Sequence, residues 1–252
     1  MKNIFAASSG FVSFLQIISL LIAVAGFWIF DIGVTEALTI LLGYFLYAGV
    51  GVSMMMHRYW THKSFQFKYP ILEWLFSWFA IQAGRGSILG WVHIHREHHA
   101  YSDTEKDPHA PNINGWRVFF PHILNYGGEL KRYLIRDLFT YHHLWINKYY
   151  KILVIGWAGL LFLISPWLFY FAWAVPLAMT HLALNSFTYF GHSHGYTNHQ
   201  HRDESKNLWP FAILLWGEGW HNNHHTNPSK WNLQEHWWEV DLISYVIRIV
   251  KK

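Results

Sequence analysis

The stretch ALTILLGYFLYAGVGVSMMMHRYWTH, residues 37–62, decides the fold. Ala37 to Met56 is a charge-free apolar run of the length an α-helix needs to cross a hydrocarbon core. It ends directly on His57-Arg-Tyr-Trp-Thr-His62, so an apolar span hands the chain to a pair of metal-type ligands. Met54-Met55-Met56 reads as core or lipid contact rather than as a soft-metal site.

Two further histidine clusters lie far downstream: His95-Arg-Glu-His98-His99 and His221-Asn-Asn-His224-His225, with His192 isolated between them. Residues three and four apart share a helix face, so each His-x-x-His-His set is expected to project together. His57 and His62 are five apart and diverge on a straight α-helix. They fit a helix end, with His57 in the last turn and His62 just beyond. Together they exceed what one metal ion can use, which points to two ions held close together.

The rest of the chain follows the same plan. Hydrophobic residues make up 52%, charged residues 13% and aromatics 19%, a charged share about half the usual one and a profile of a membrane protein. Phe11 to Phe30 is a second apolar run, and Ile152 to His201 holds no Asp, Glu, Lys or Arg. That stretch accommodates two spans turning at Ser165-Pro166. The expected fold is therefore an all-α integral membrane protein with four spans, near 11–30, 37–56, 152–165 and 167–189. A single domain over 1–252 is expected, with a helical cap from 57–151 and 190–252 holding the histidines. The N-terminal run imitates a signal peptide through Lys2 and Ala23-Val24-Ala25, but its continuation to Phe30 favours a retained span.

All 19 Lys and Arg residues fall at Lys2, between Arg58 and Lys151, or from Arg202 onward. The positive-inside rule then puts both termini and the histidine clusters on the cytoplasmic side, leaving Asp31–Glu36 and the Ser165 region as outer turns. Asp31 and Glu36 read as solvated turn charges. Pro70 to Ala83 reads as a segment lying in the interface or packed under the cytoplasmic cap, and Asn114 to Tyr150 as amphipathic interfacial helices. The net charge of +4 suits loops facing anionic lipid, and its dispersed basic residues speak against nucleic-acid binding. Cysteine is absent, which excludes disulfides, thiolate zinc and a cysteine-held iron–sulfur cluster.

An all-imidazole site implies a borderline metal and disfavours calcium or magnesium. Neutral ligands call for nearby carboxylates that accept imidazole N–H, and Glu97, Asp103, Asp107 and Glu218 lie within or beside the clusters. Gly90-Trp91 before His95 is echoed by Gly219-Trp220 before His221, as if two helices approached the site alike.

These motifs carry a resemblance. His57-Arg-Tyr-Trp-Thr-His-Lys-Ser-Phe65, His95-Arg-Glu-His-His99 with Asp107-Pro-His109, and Gly217-Glu-Gly-Trp-His-Asn-Asn-His-His225 resemble the three boxes of the membrane fatty acid desaturases, in order and spacing. The acyl-CoA desaturase-like branch is the one most similar. The resemblance implies a non-haem di-iron centre on His57, His62, His95, His98, His99, His192, His221, His224 and His225. His192 is placed by His192-x-x-Gly195-Tyr196, with His194 as its rival. Where the family often has a water-holding Asn, four residues earlier, this chain has Thr188, and Asn185 lies nearby. Trp91 matches a position lining the acyl tunnel. Acyl-CoA users tend to carry Arg two residues before the second box, where this chain has His93, so acyl-CoA, acyl-lipid and acyl carrier protein all stay open.

The implied reaction is O2-dependent removal of two hydrogens from an acyl chain, giving a cis double bond, with delta-9 the expected position. Electrons are expected from a ferredoxin or cytochrome b5 type donor docking on the basic face. A hydroxylase or other oxygenase with the same centre is the near alternative, since a hydrogen-abstracting oxidant can return a hydroxyl. A metal transporter or haem electron carrier is more distant. Transporter sites lie near the midplane, and a haem carrier would leave most of the histidines unexplained. His109, His122, His142, His143, His181, His194, His199, His201 and His236 are read as surface, capping or hydrogen-bonded histidines.

Overall fold

The computed structural model describes residues 6–120 and 131–252, so His122 and Leu130 lie outside the described residues. Those residues are helical, with only isolated bridges such as Phe67 to Lys251 in place of a sheet. Helix α1 spans Ala6–Gly26 and α2 spans Val34–Thr61, which at 28 residues is roughly 40 Å long. Helices α3 (Ile71–Gln82) and α4 (Ile88–Tyr101) follow. After a short α5 (Pro111–Asn114), α6 covers Tyr141–Ile164 and α7 Pro166–Phe190. Three small helices end the chain: α8 (Trp209–Leu214), α9 (His221–Thr226) and α10 (Leu242–Val250).

Three of these, α2, α6 and α7, are long and apolar enough to cross a membrane. The apolar side chains of α6 face outward, with Ile152 67% and Leu163 83% exposed, as lipid-facing residues must be. The boundaries differ from the sequence expectation in instructive ways. The first run is helical only to Gly26, and Phe27–Phe30 forms a turn. The third helix starts at Tyr141 rather than near 152. Thr140 caps it through the His143 N–H, and no Gly or Pro interrupts the polar first turns before they merge with the apolar run. Of the expected amphipathic helices over 114–150, the described residues form that helical start and 3-10 turns at Gly115–Phe119 and Arg132–Leu138.

Ser165 is extended and Pro166 opens α7, so the chain reverses there as its Pro predicts. Glu36 is no free solvated charge. Its carboxylate accepts from Gly33 N–H and from Trp167 Nε1 at 3.0 Å each, tying the α1–α2 turn to the α6–α7 turn. These turns lie at the ends of α2 and α7 away from the histidines. Tyr170 donates to Ala23 O and Tyr47 to Ala172 O, fixing α1 and α2 against α7. Helix α3 crosses α2 at Gly51, where a Cβ would stand 2.6 Å from Phe79 O.

From Phe45 to Thr61, α2 winds as a π-helix. The i→i+5 bonding reaches its end in His62 N–H to His57 O, 3.2 Å, which stacks residue 62 over residue 57. The two rings that an α-helix would separate stand 4.8 Å apart.

Candidate metal centre

Four elements deliver the nine histidines to one place. His57 and His62 sit at the end of α2, and His95, His98 and His99 on α4. His192 follows the end of α7 after Gly191, and His221, His224 and His225 lie on α9. Their ring nitrogens form two groups, His57–His62–His95–His99–His224 and His98–His192–His221–His225, with the donors of each within 4.8 Å of one another. The split refines the expectation of a common projection. Residues i and i+4 diverge by about 40° around a helix, whereas i+3 turns the other way by about 60°. So His95 and His99 enter one group and His98 the other, while on α9 His221 and His225 pair and His224 crosses over. His194 joins neither group; it is exposed and contacts Ser193.

Carboxylates orient four of the rings. Asp107 Oδ2 meets His98 Nδ1 at 2.8 Å, Asp103 Oδ2 meets His192 Nδ1 at 2.8 Å, and Asp203 Oδ2 meets His225 Nδ1 at 3.0 Å. Glu218 closes on His57 Nδ1 in the same manner. An ionised carboxylate only accepts, so each Nδ1 carries the proton and each Nε2 keeps its lone pair. Three of the four sequence-selected carboxylates are thus placed against rings. Glu97 is not; it pairs with Lys131 on the protein surface side of α4. Asp203 was not legible, because it lies on the loop between α7 and α8 with no spacing that ties it to His225.

The donor set fits metal ions. His224 Nε2 faces both His57 Nε2 and His99 Nε2 at 3.0 Å, and His192 Nε2 faces His221 Nε2 at 2.9 Å. One proton cannot serve three converging nitrogens, whereas a cation can. His62 Nε2 and His225 Nε2 are buried without a hydrogen-bond partner. Burial, reinforced by neighbouring rings, drives His62, His95, His99, His221, His224 and His225 well below the usual imidazole pKa. They are neutral at physiological pH, the ligating form. Burial raises the Glu218 pKa, but His57 and Arg58 outweigh it and hold this carboxyl at about 2.

Behind His57 lies a network the sequence did not announce. Arg58 is buried and donates from Nε and Nη2 to Glu218 Oε1 and from Nη1 to Asp241 Oδ2 and Trp231 O. Gly217, at φ +120, lets the chain pass Asp241 where a Cβ would collide with its carboxylate. Arg96 joins the first two clusters by donating to Trp60 O, Thr61 O and Leu134 O and pairing with Asp137.

A cavity of about 140 Å³ opens beside both groups. Val12, Val52, Ile94, Val118, Leu184 and Phe187 supply apolar walls, and His57, His95, His98, His192 and His221 supply the polar side. Trp91 lines it and stacks on His95 at 4.7 Å between ring centroids. Thr188 also lines it, its hydroxyl donating to Leu184 O. Asn185 is turned elsewhere, accepting from Arg85 and donating to Phe119 O.

Among the described residues, helices long and apolar enough to cross a membrane and clustered buried imidazoles that could hold metal stand beside an apolar cavity, an arrangement that suits a membrane metalloenzyme. The comparisons narrow it. The fatty acid desaturase family profile matches residues 34–248. Delta-9 acyl-lipid desaturase 1 of Arabidopsis thaliana is 31% identical over 231 residues, covering 85% of this chain and 72% of the relative. The sn-1 stearoyl-lipid 9-desaturase of Anabaena variabilis is 30% identical, covering 84% and 79%. The acyl-CoA 5-desaturase AL21 of Anemone leveillei is 31% identical, covering 82% and 67%. The chain belongs to the fatty acid desaturase family and is an oxidoreductase that desaturates fatty acyl chains.

Proposed function

We propose that this enzyme introduces a cis double bond at delta-9 of an acyl chain carried on a membrane lipid, using O2 and two electrons from an external donor. The convergence of nine histidines into groups of five and four beside an apolar cavity carries the reading. The similar proteins named for delta-9 acyl-lipid and 9-desaturase activity support this regiochemistry and a lipid carrier. Acyl-CoA and acyl carrier protein are the other carriers. The donor is of ferredoxin or cytochrome b5 type and docks on the basic face.

The nine histidines would hold two iron ions, one per group, and the irons would supply O2 activation and hydrogen abstraction. The balance is acyl chain, O2, two electrons and two protons giving the olefin and two waters. The protein's own work is positioning. Asp103, Asp107, Asp203 and Glu218 fix four imidazole tautomers, so lone pairs point inward. The apolar walls hold the methylenes next to the histidine side and exclude water, while Trp91 packs over His95 and limits where the chain lies.

The topology we assign is one desaturase domain over 1–252 with four spans, α1 joining α2, α6 and α7. Both termini and the histidines are then cytoplasmic, the histidines held in a cap formed by the segments 57–151 and 190–252. Expression in a desaturase-deficient host, with double-bond mapping by gas chromatography–mass spectrometry, tests the activity. New delta-9 monoenes on membrane lipids are expected. Hydroxylated chains without new double bonds would overturn the reading.

A further inference from the structure

We infer that the two metal positions are electrostatically unequal, with the four-histidine group the tighter site and the five-histidine group the more labile one. This rests on the two-metal reading above and concerns residues outside the ligand set. Around His98, His192, His221 and His225 stand three carboxylates, Asp107, Asp103 and Asp203, each accepting from a ring Nδ1. Their other recorded hydrogen-bond partners are neutral. Asp107 accepts from the N–H of Asp103 and His109, Asp103 from that of Glu204, and Asp203 from the N–H and hydroxyl of Ser205. Three carboxylates, none of them ion-paired with Lys or Arg, therefore stand behind that position, with the Arg85 guanidinium on the cavity wall offsetting part of their charge.

The five-histidine group has one such carboxylate, Glu218, and its charge is partly offset by a guanidinium it shares with Asp241. Glu218 Oε1 accepts from Arg58 Nε and Nη2 at 3.1 and 3.0 Å, and Arg58 is buried. A guanidinium in direct contact, though shared with Asp241, weakens the field Glu218 exerts through His57. A fifth neutral imidazole adds a donor but no charge. A carboxylate behind a ligating histidine raises ligand basicity, and losing one costs about 10- to 100-fold in metal affinity. Asp103, Asp107 and Asp203 are positioning residues that set retention at one position only.

The test is iron release from the full-length, iron-loaded protein in detergent, challenged with a coloured ferrous chelator. The wild type should lose its iron in two phases of one ion each. Asp203→Asn should accelerate the slow phase by about 10- to 100-fold and leave the fast phase unchanged. Asp203→Glu should restore the slow phase, and Glu218→Gln should accelerate only the fast one. General destabilisation would speed both phases, so selectivity separates positioning from a merely structural role. The Asp203 arm stands by itself if Glu218→Gln fails to fold, since Asp203 lies on a loop. A single phase for both ions, or Asp203→Asn acting on the fast phase, would overturn the inference while leaving two metals in place. One iron or none per chain in the loaded wild type would sink the two-metal reading, and the inference with it.

Discussion

Replacing Arg58 by Met should be among the most damaging single changes in the chain outside the ligands. The side chain is 1% exposed and makes four hydrogen bonds, to Glu218, Asp241 and Trp231 O. Methionine fills similar volume, so packing loss is small and the electrostatic effect dominates. Removing the cation leaves Glu218 and Asp241 buried without it, and Glu218 loses a main reason for its pKa near 2. Breaking a buried ion pair from one side costs about 3–5 kcal/mol. At about 2–4 °C per kcal/mol for a chain of this size, the melting temperature should fall by roughly 6–20 °C. Thermal unfolding in detergent, read by size-exclusion chromatography or tryptophan fluorescence, measures it. Lys63→Met is the control: it removes only the exposed end of the Asp137 pair and should cost less than about 1 kcal/mol. Arg58→Met with Asp241→Asn should recover part of the loss. A melting temperature for Arg58→Met within 2 °C of wild type, on the order of the control, would refute the account of this network.

His98→Ala and His224→Ala should each abolish new double bonds while immunoblots still find the protein in membranes; retained desaturation would remove that histidine from the ligand set. Acid should weaken the metal-free protein from about pH 6.5 downward. Six buried histidines have depressed pKa values, so the unfolded chain takes up protons that the folded one refuses. Glu218, near 2 when folded against a model value of 4.5, adds stability that is full above 4.5 and lost as pH falls toward 2. A melting temperature flat from pH 7 to pH 5 would contradict the histidine effect, and one flat below about pH 4.5 the Glu218 effect. Trp91→Ala should enlarge the cavity beside His95 and scatter the double-bond position or cut turnover, measured by product mapping at equal expression. Gly217→Ala should destabilise by about 1–3 kcal/mol through its positive φ and the Asp241 collision, seen as a lower melting temperature.

Much of this site is written in local chemistry. The charge-free run Ala37 to Met56 ending on His57, the Pro166 reversal and the His-x-x-His-His spacing are short-range signals, because span length, proline geometry and helix periodicity depend on neighbours in the chain. Asp103, Asp107 and Glu218 were legible for the same reason: they stand within or beside the clusters. Asp203, and the buried triad of Arg58, Glu218 and Asp241, were not, since their partners lie 22 residues or more away in sequence. The π winding of α2 was hidden too, and it alone brings His57 and His62 together.

By itself the sequence determined that imidazoles gather at the ends of apolar helices, and in what number. The tertiary structure decided how they divide. Helices α4 and α9 carry the same motif but contribute in opposite senses, a pair from one meeting a single ring from the other in each group. The helical period sets His98 and His224 apart from their neighbours, but which group each joins depends on where the facing helix stands. That placement comes from packing, from Arg96 and Arg58 bridging distant segments and from α7 ending just before His192, and none of these is a property of a local run of residues.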